Sequence, residues 1–293
     1  MVVKKSENTE IHIVELTRQF LTVHIVGTTP LICNSMAKKA WEDLLAPKGR
    51  KTTAEKVSTM KHNPIAEFRD SPYRMANANA PALLAAMCAW FKQGMGTAAL
   101  HTPGAKKTDI GRLVSIPDEF VSLYGVPKLF MSIVRNSDMN HTPDVRTRAL
   151  LPEWACKISL SYITPILRQQ AIVTLLSGAG IVSGVGDWRQ QKGSGSYGSY
   201  KLVGHDDPDY VRIVNAGGRK VQQEALDHPV AYDAQSDMML RWYEEQLKTR
   251  GFASPSAMYA VAQGEKLPEE EIGERTLARK SKAKKPGNGE AFV

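Results

Sequence analysis

Residues 184–200 read GVGDWRQQKGSGSYGSY, and this glycine-rich, basic and aromatic stretch is the most informative part of the chain. Glycine permits positive φ angles and lets another backbone approach closely. Arg189 and Lys192 offer charge to phosphates, and amides freed by the glycines can donate to anionic oxygens. Trp188, Tyr197 and Tyr200 offer ring faces on which bases can stack. The stretch predicts a loop that lies against a phosphate backbone, and the alternative is a loop whose Trp and Tyr pack inward. Its glycines are Gly184, Gly186, Gly193, Gly195 and Gly198.

The segments around this loop predict the fold. An apolar helical pattern runs from Pro165 to Gly178 or Gly180, and SYKLV at 199–203 follows the loop as a strand. Alternating runs upstream predict more strands, and one apolar run predicts a helix. These are strands at 20–27, 113–116, 121–124, 129–134 and 155–163, and a helix at 79–93. The order predicts an α+β fold with a ferredoxin-like (RRM-like) β-α-β-β-α-β core, and an irregular α+β fold is the alternative.

The chain divides into three predicted regions. The RRM-like core spans 11–204 and carries a long insertion at 34–75, which contains nine basic and five acidic residues. Residues 205–263 predict a helical extension that begins with a turn-rich connection. It continues with an amphipathic helix at 236–250, capped by Ser236, whose shared face holds Met239, Trp242, Tyr243 and Gln246, and a shorter helix at 255–262. Residues 264–293 predict a disordered basic tail.

Two further basic clusters are candidates for phosphate binding. Residues 139–148, MNHTPDVRTR, predict a polar loop that presents Arg146 and Arg148 near His141 at the edge of the sheet. A surface salt-bridge pair is the alternative. The insertion predicts a basic arm whose binding to a nucleic-acid backbone weakens with salt, and a solvated face is the alternative. Its candidate residues are Lys38, Lys39, Lys48, Arg50 and Lys51.

Composition limits the class of protein. The 293 residues are 42% hydrophobic and 23% charged, as in an ordinary globular protein. The formal net charge is +8, but the tail from Arg275 onward supplies +5 of it, so the remainder is only about +3. Three widely spaced cysteines predict no disulfide and a reducing compartment. Neither a signal peptide nor a membrane-spanning run is predicted, so we expect a cytoplasmic protein that binds no membrane.

No motif in the sequence predicts catalysis. The seven histidines are scattered, and none has the spacing of a metal-binding motif. HDD at 205–207 precedes a proline and is more typical of a turn than of a metal site. No nucleophile elbow is present. The sequence therefore predicts no catalytic residue, no metal and no cofactor.

Two segments resemble the RAMP superfamily, the repeat-associated proteins of CRISPR systems. TTPLICNS at 28–35 resembles the family's opening after the first strand, and residues 178–203 resemble its glycine-rich loop between the last helix and last strand. RTRALLPEW at 146–154 also resembles uncharacterised proteins of tailed phages and prophages. The resemblance implies an RRM-like fold akin to the backbone subunits that polymerise along guide RNA, with the basic insertion reaching a neighbouring protomer. Serine and tyrosine stand where the family's loop carries more arginine, and His62 lies in no family motif.

These observations predict a non-enzymatic protein that binds single-stranded nucleic acid and oligomerises along it. The glycine loop would hold phosphates, Trp188 or Tyr197 would stack on bases, and the other clusters would neutralise charge. RNA fits the family, and single-stranded DNA fits a phage setting within a bacterial host cell. The alternatives are a RAMP-type endoribonuclease that uses His62 or His141, a phage ssDNA-annealing or recombination protein, and a phage structural or assembly protein.

Overall fold

The computed structural model describes residues 15–36, 41, 44–45, 62–135, 141–192 and 195–249. These residues form two antiparallel β-sheets with helices packed against them, so the predicted α+β class is confirmed. The strands are β1 (Thr17–Gly27), β2 (Leu31–Ile32), β3 (Ala85–Met87), β4 (Val114–Ser115), β5 (Phe120–Tyr124), β6 (Lys128–Arg135), β7 (Pro143–Leu151), β8 (Ala155–Thr164) and β9 (Tyr200–Val203). The helices are α1 (Pro64–Asp70), α2 (Cys88–Ala98), α3 (Lys107–Leu113), α4 (Gln169–Val182), α5 (Pro208–Ala216), α6 (Arg219–Asp227) and α7 (Ala234–Thr249). Short 3₁₀ turns lie at Ala99–His101 and Gln190–Lys192.

The first sheet has the strand order β3-β5-β8-β1-β9, and β4 pairs with another part of β8. β1 and β8 form its centre and are in register from Thr17 opposite Thr164 to Val26 opposite Ala155. Because side chains alternate between the faces of a strand, Val23 and Ile25 lie on one face with their β8 partners. This inner face packs under α2 and α4 and contains most of the main hydrophobic core.

Within the described residues, the other face of the first sheet, which we call the outer face, is covered at one end only. There α5 packs Ile213 onto Val26 and Ala155. Towards the start of β1, Phe20 and Thr22 are exposed on the same face. The outer face is therefore partly open in the described residues.

The second sheet is the hairpin β6–β7 with the short β2 on its other side. The prediction of a polar loop at 139–148 is wrong for its second half, because β7 begins at Pro143. Every residue of β7 up to Leu150 pairs with β6, from Pro143 opposite Arg135 to Leu150 opposite Lys128. This long-range pairing satisfies the backbone of a segment whose own polar sequence favours a loop.

Two other segments differ from their predictions. The helix expected at 79–93 begins only at Cys88, because Ala85–Met87 pair with β5 as a strand. The turn-rich connection expected after Gly204 instead contains α5, with α6 directly behind it. Asp207 caps α5 by accepting hydrogen bonds from the amides of Asp209 and Tyr210, and Pro208 suits the first turn.

Helix α4 continues past both glycines at which it was predicted to end. It runs to Val182, and Gly180 lies inside it against β9. A Cβ atom at Gly180 would stand 2.1 Å from the carbonyl oxygen of Tyr200. Gly180 therefore permits close packing of a helix on a strand and does not terminate the helix.

The C-terminal helices share the core of the sheets. The predicted helix at 236–250 is confirmed as α7, but Asp233 rather than Ser236 caps it, by accepting the Ser236 amide at 2.7 Å. The buried face of α7 is formed by Leu240, Tyr243 and Leu247, so of the predicted face only Tyr243 is buried. The helix predicted at 255–262 and the tail lie outside the described residues. Among the described helices, none is long and apolar enough to cross a lipid bilayer.

Candidate nucleic-acid interface

The glycine loop lies where the sequence predicts it, between α4 and β9, and it folds back on itself. Val185 N–H donates to the carbonyl of Gly198, and a further bridge joins Arg189 to Tyr197. Gly198 has a φ of 74°, and a Cβ there would stand 1.8 Å from the Val185 carbonyl oxygen. The glycines therefore allow the two arms of the loop to approach each other, rather than leaving the loop open.

Two aromatic residues of the loop point towards the second sheet, whereas Tyr200 is buried at the start of β9, so the prediction that its ring is open to a base is wrong. Trp188 and Tyr197 pack on Phe130 of β6, with ring centroids 6.0 Å and 6.4 Å away, and the Trp188 contact is edge-to-face. Tyr232 adds a third ring to Phe130 at 6.0 Å. Both loop rings are half-buried. Inward packing, the alternative left open by the sequence, is the arrangement that the structure shows, and the rings attach the loop to the hairpin.

Arg148 is part of the same attachment. Its Nη1 lies 2.7 Å from Asp187 Oδ2, and its guanidinium stands 5.6 Å from the Trp188 ring centroid. Only 13% of the Arg148 side chain is exposed. Burial lowers the pKa of Arg148, while the charge of Asp187 acts in the opposite direction. Arg148 therefore holds the loop on the hairpin and is not presented to an external phosphate.

The remaining residues predicted to bind phosphate differ in their surroundings. Arg189 folds back within the loop, donating from Nη1 to the Gly186 carbonyl at 3.0 Å and from Nε to Gln191 Oε1 at 3.2 Å. Arg146 lies in β7 with 49% of its side chain exposed, and its Nη2 stands 3.8 Å from Asp144 Oδ2. Lys192 ends the 3₁₀ turn. Gly193 and the insertion residues Lys38, Lys39, Lys48, Arg50 and Lys51 lie outside the described residues.

The turn after β1 joins the segments that resemble the RAMP superfamily. Trp154 is fully buried, and its Nε1 donates to the Thr29 carbonyl at 2.9 Å. Ser199 N–H donates to Thr29 Oγ1 at 2.9 Å, and Gly198 N–H donates to the Pro30 carbonyl at 2.8 Å. The opening motif, the end of β7 and the glycine loop therefore form one connected unit.

The outer face of the first sheet carries a feature that the sequence reasoning missed. Phe20 lies in the central strand β1, and 76% of it is exposed. Ser161 of β8 is its cross-strand neighbour. In the next pair on the same face, Thr22 Oγ1 lies 3.0 Å from Ser159 Oγ. The signal in the sequence was a phenylalanine at a polar position of the alternating run TRQFLTVHIVG.

Charge on the first sheet is entirely of one sign. Its strands contain no Asp or Glu, whereas Arg18 shares the outer face with Phe20. Lys157 and Lys201 are exposed on the same face, opposite His24 and Val26. Burial, Lys157 and His205 together lower the pKa of His24. The outer face thus combines an exposed ring, hydroxyl groups and cations.

Two of the residues considered for catalysis, His62 and Asp207, are occupied by structural contacts. His62 Nδ1 lies 2.8 Å from Glu67 Oε1, and His62 Nε2 lies 2.8 Å from Asp144 Oδ1. With both ring nitrogens engaged, His62 has none free to exchange a proton with a substrate. Asp207 of the HDD segment caps α5. Within the ranges that the structure describes, no group of His, Cys, Asp and Glu side chains is arranged to hold a metal ion.

No protein-family model matches the chain, and no curated protein is significantly similar to it. Its function is therefore inferred from its own residues, foremost those of the outer face and the glycine loop.

Proposed function

We propose that the first sheet, with α2 and α4, is a ferredoxin-like core. β1 and β5 run in the same direction with β8 between them, and α2 lies between them in the chain. β8 and β9 likewise run in the same direction with β1 between them, and α4 connects them. Two interleaved β-α-β units are the split arrangement of that fold. The hairpin β6–β7 and the segment from β2 to β3 would then be insertions.

A relationship to the RAMP superfamily is part of this proposal. It is supported by the glycine loop between the last helix and last strand of the proposed core, and by the contacts that join this loop to the opening motif at Thr29. The inward packing of Trp188 and Tyr197 changes the role proposed for the loop. We propose that the loop, held on the hairpin by Arg148, leaves Arg146 at the rim of the hairpin, where its half-exposed guanidinium can neutralise one backbone phosphate.

We propose that the protein binds single-stranded nucleic acid on the outer face without catalysing a reaction. The observation that carries this proposal is the exposure of Phe20 on the outer face of β1. Leaving a phenylalanine in water forgoes about 1.5–3 kcal/mol of burial energy, so its place on an open face calls for a ligand. A base stacked on an aromatic ring contributes about 1–3 kcal/mol, and single-stranded bases have free faces.

The charges and hydroxyl groups around Phe20 support the same ligand. Arg18 and Lys157 lie on its face and no carboxylate of the sheet strands opposes a phosphate. The hydroxyls of Thr22 and Ser159 can donate and accept hydrogen bonds with bases or sugars. A flat surface with one ring and flanking cations suits an extended strand rather than a duplex, whose bases are stacked on each other.

Fluorescence anisotropy with labelled 20-nucleotide RNA and DNA strands across a salt series tests the proposal. We expect Phe20→Ala to weaken binding by about 1–3 kcal/mol, which is roughly 5-fold to 150-fold. Trp242→Ala is the matched control, since Trp242 is also an exposed ring, 57% accessible, on a helix that packs on the second sheet. Absence of binding at low salt, or equal affinities of the two variants, would contradict the proposal.

The same assay tests the rim of the hairpin. Arg146→Ala should weaken binding evenly across sequences and reduce the slope of log K against log salt by about one phosphate contact. Tighter binding of RNA than DNA would favour the RAMP relationship, and the reverse would favour a phage ssDNA-annealing role. Size exclusion with and without oligonucleotide tests assembly along the strand, and open-ended assembly without ligand would favour a structural phage protein.

The endoribonuclease alternative has a separate test. Structured RNA is incubated with the protein, with and without a chelator, and its length is followed on a denaturing gel. We expect intact RNA, because both ring nitrogens of His62 are held by carboxylates. Cleavage that His62→Ala or His141→Ala abolishes would favour the enzyme.

A further inference from the structure

Among the strands that the structure describes, β1 is paired along almost its whole length on one side and over only a few residues on the other. β8 accompanies it from Thr17 to Val26, whereas β9 pairs only with His24 to Gly27. β9 ends at Val203, and a turn follows. Residues 17–23 of β1 therefore have no strand on that side among the described residues, and they form what we call the free edge.

The hydrogen-bonding groups of the free edge can be assigned from the end of β1. Gly27 N–H donates towards β8, to the Trp154 carbonyl at 2.8 Å, and Thr28 N–H donates towards β9, to the Ser199 carbonyl at 2.8 Å. Successive residues of a strand direct their amides to opposite sides. The N–H and C=O groups of Arg18, Phe20 and Thr22 are therefore directed to the free edge, and within the described residues no hydrogen bond engages them.

We propose that two copies of this chain pair through their free edges as antiparallel strands, with a two-fold axis at Phe20. The free edge is seven residues long, and Phe20 is its middle residue. With the axis there, Phe20 faces Phe20 of the second copy, and Arg18 faces Thr22 of the second copy. Each facing pair exchanges two N–H···O=C bonds, so all three donors and three acceptors of each copy are satisfied. The pairing ends at Thr17 opposite Val23, since His24 is already paired with Val203 at the end of β9.

The side chains of the free edge are complementary under this symmetry. The two Phe20 rings lie next to each other on the outer face, and an aromatic cross-strand pair is favourable. Arg18 faces a threonine and not a second arginine, so no like charges oppose each other. Natural proteins block exposed edges with charges, proline or bulges, and the centre of this edge holds an exposed phenylalanine instead. A second copy is therefore the occupant that this edge fits.

Disulfide trapping of the nucleic-acid-free protein tests the proposal. Facing residues of a hydrogen-bonded antiparallel pair have Cα atoms about 5.5 Å apart, within disulfide range. Phe20→Cys should therefore give a cross-linked dimer under mild oxidation. In the matched control Arg18→Cys, the two introduced thiols are offset by four residues along the strands, about 14 Å, and should not join. The native cysteines are all buried and do not interfere.

A second variant tests whether the backbone hydrogen bonds of the free edge hold the dimer together. Thr22→Pro removes an amide directed to the free edge and leaves the β1–β8 ladder intact, since edge strands accept proline at such positions. In sedimentation equilibrium we expect the native protein to dimerise and Thr22→Pro to remain monomeric. A native protein that stays monomeric, or Phe20→Cys that cross-links no faster than Arg18→Cys, would overturn the proposal. Because no oligonucleotide is present, these outcomes are independent of nucleic-acid binding.

Discussion

Replacing Gln222 of α6 should greatly lower the free energy of unfolding. The side chain is fully buried, and its carboxamide makes four hydrogen bonds to the backbone. Oε1 accepts from the amides of Leu83 and Leu84 at 2.7 and 3.0 Å. Nε2 donates to the carbonyls of Leu123 and Gly125 at 2.8 and 3.0 Å. One side chain thus joins α6 to the segment before β3 and to the end of β5.

The expected loss can be worked from these bonds. Gln222→Leu keeps the approximate volume but leaves two buried N–H donors and two carbonyls without this partner. Each orphaned buried donor costs about 1–3 kcal/mol, and carbonyls cost less because they have a second lone pair. Allowing for the added apolar burial of leucine, we expect a loss of about 3–6 kcal/mol. This is a large fraction of the roughly 5–15 kcal/mol that stabilises a typical domain.

Urea unfolding followed by tryptophan fluorescence measures this loss. Gln223→Leu is the matched control, because Gln223 is the next residue of α6, is exposed and has its described hydrogen bond with Asp227 of the same helix. We expect the control to change the free energy of unfolding by less than about 0.5 kcal/mol. If Gln222→Leu unfolds within about 1 kcal/mol of the native protein at an unchanged m-value, the four bonds do not contribute as argued.

Three further predictions concern buried or paired polar groups. Asp187→Leu leaves Arg148 partly buried without its partner and should lower stability by about 2–3 kcal/mol, whereas the double variant with Arg148→Met should recover most of it in urea unfolding. His62 has a pKa raised above its ordinary 6.5, first by the hydrogen bond to Glu67. The native protein should therefore be more stable than His62→Gln below pH 6.5, and this difference in the free energy of unfolding should disappear as the pH rises through the raised pKa. Urea unfolding across this pH range measures the difference. A difference that stays constant would contradict the prediction. Burial raises the pKa of the thiols, to about 12 for two of them, so Ellman's reagent should label none before unfolding and all three after it. These thiols belong to Cys33, Cys88 and Cys156.

Several elements could be predicted because their signals are local. The alternation in β1, β5 and β8 and the apolar stripe of α7 are visible within ten residues of sequence, and the structure has these elements at the expected places. The glycine loop could also be located, because glycine is concentrated where the chain must fold back on itself. The faces of these elements were harder to assign. In α7 the predicted stripe was shifted, because Leu240 and Leu247 are oriented by their contacts with the rest of the core.

Pairing partners could not be predicted, since they lie far away in the sequence. Ala85–Met87 form a strand only because β5 is beside them, although their composition favours a helix. The polar residues of β7 form a ladder only because β6 provides its hydrogen bonds. In the same way, Arg148 is adjacent to Asp187 only after the loop has packed on the hairpin.

The sequence by itself determined the α+β class, the central strands and the place of the glycine loop between α4 and β9. These follow from periodicity and glycine content, which act over a few residues. Only the tertiary structure decided that Trp188 and Tyr197 face Phe130, because this orientation depends on a sheet formed by residues more than 30 positions away. The exposure of Phe20 was also decided by the tertiary structure. Whether an outward-facing position is covered depends on where distant helices pack, and α5 reaches Val26 but leaves Phe20 open.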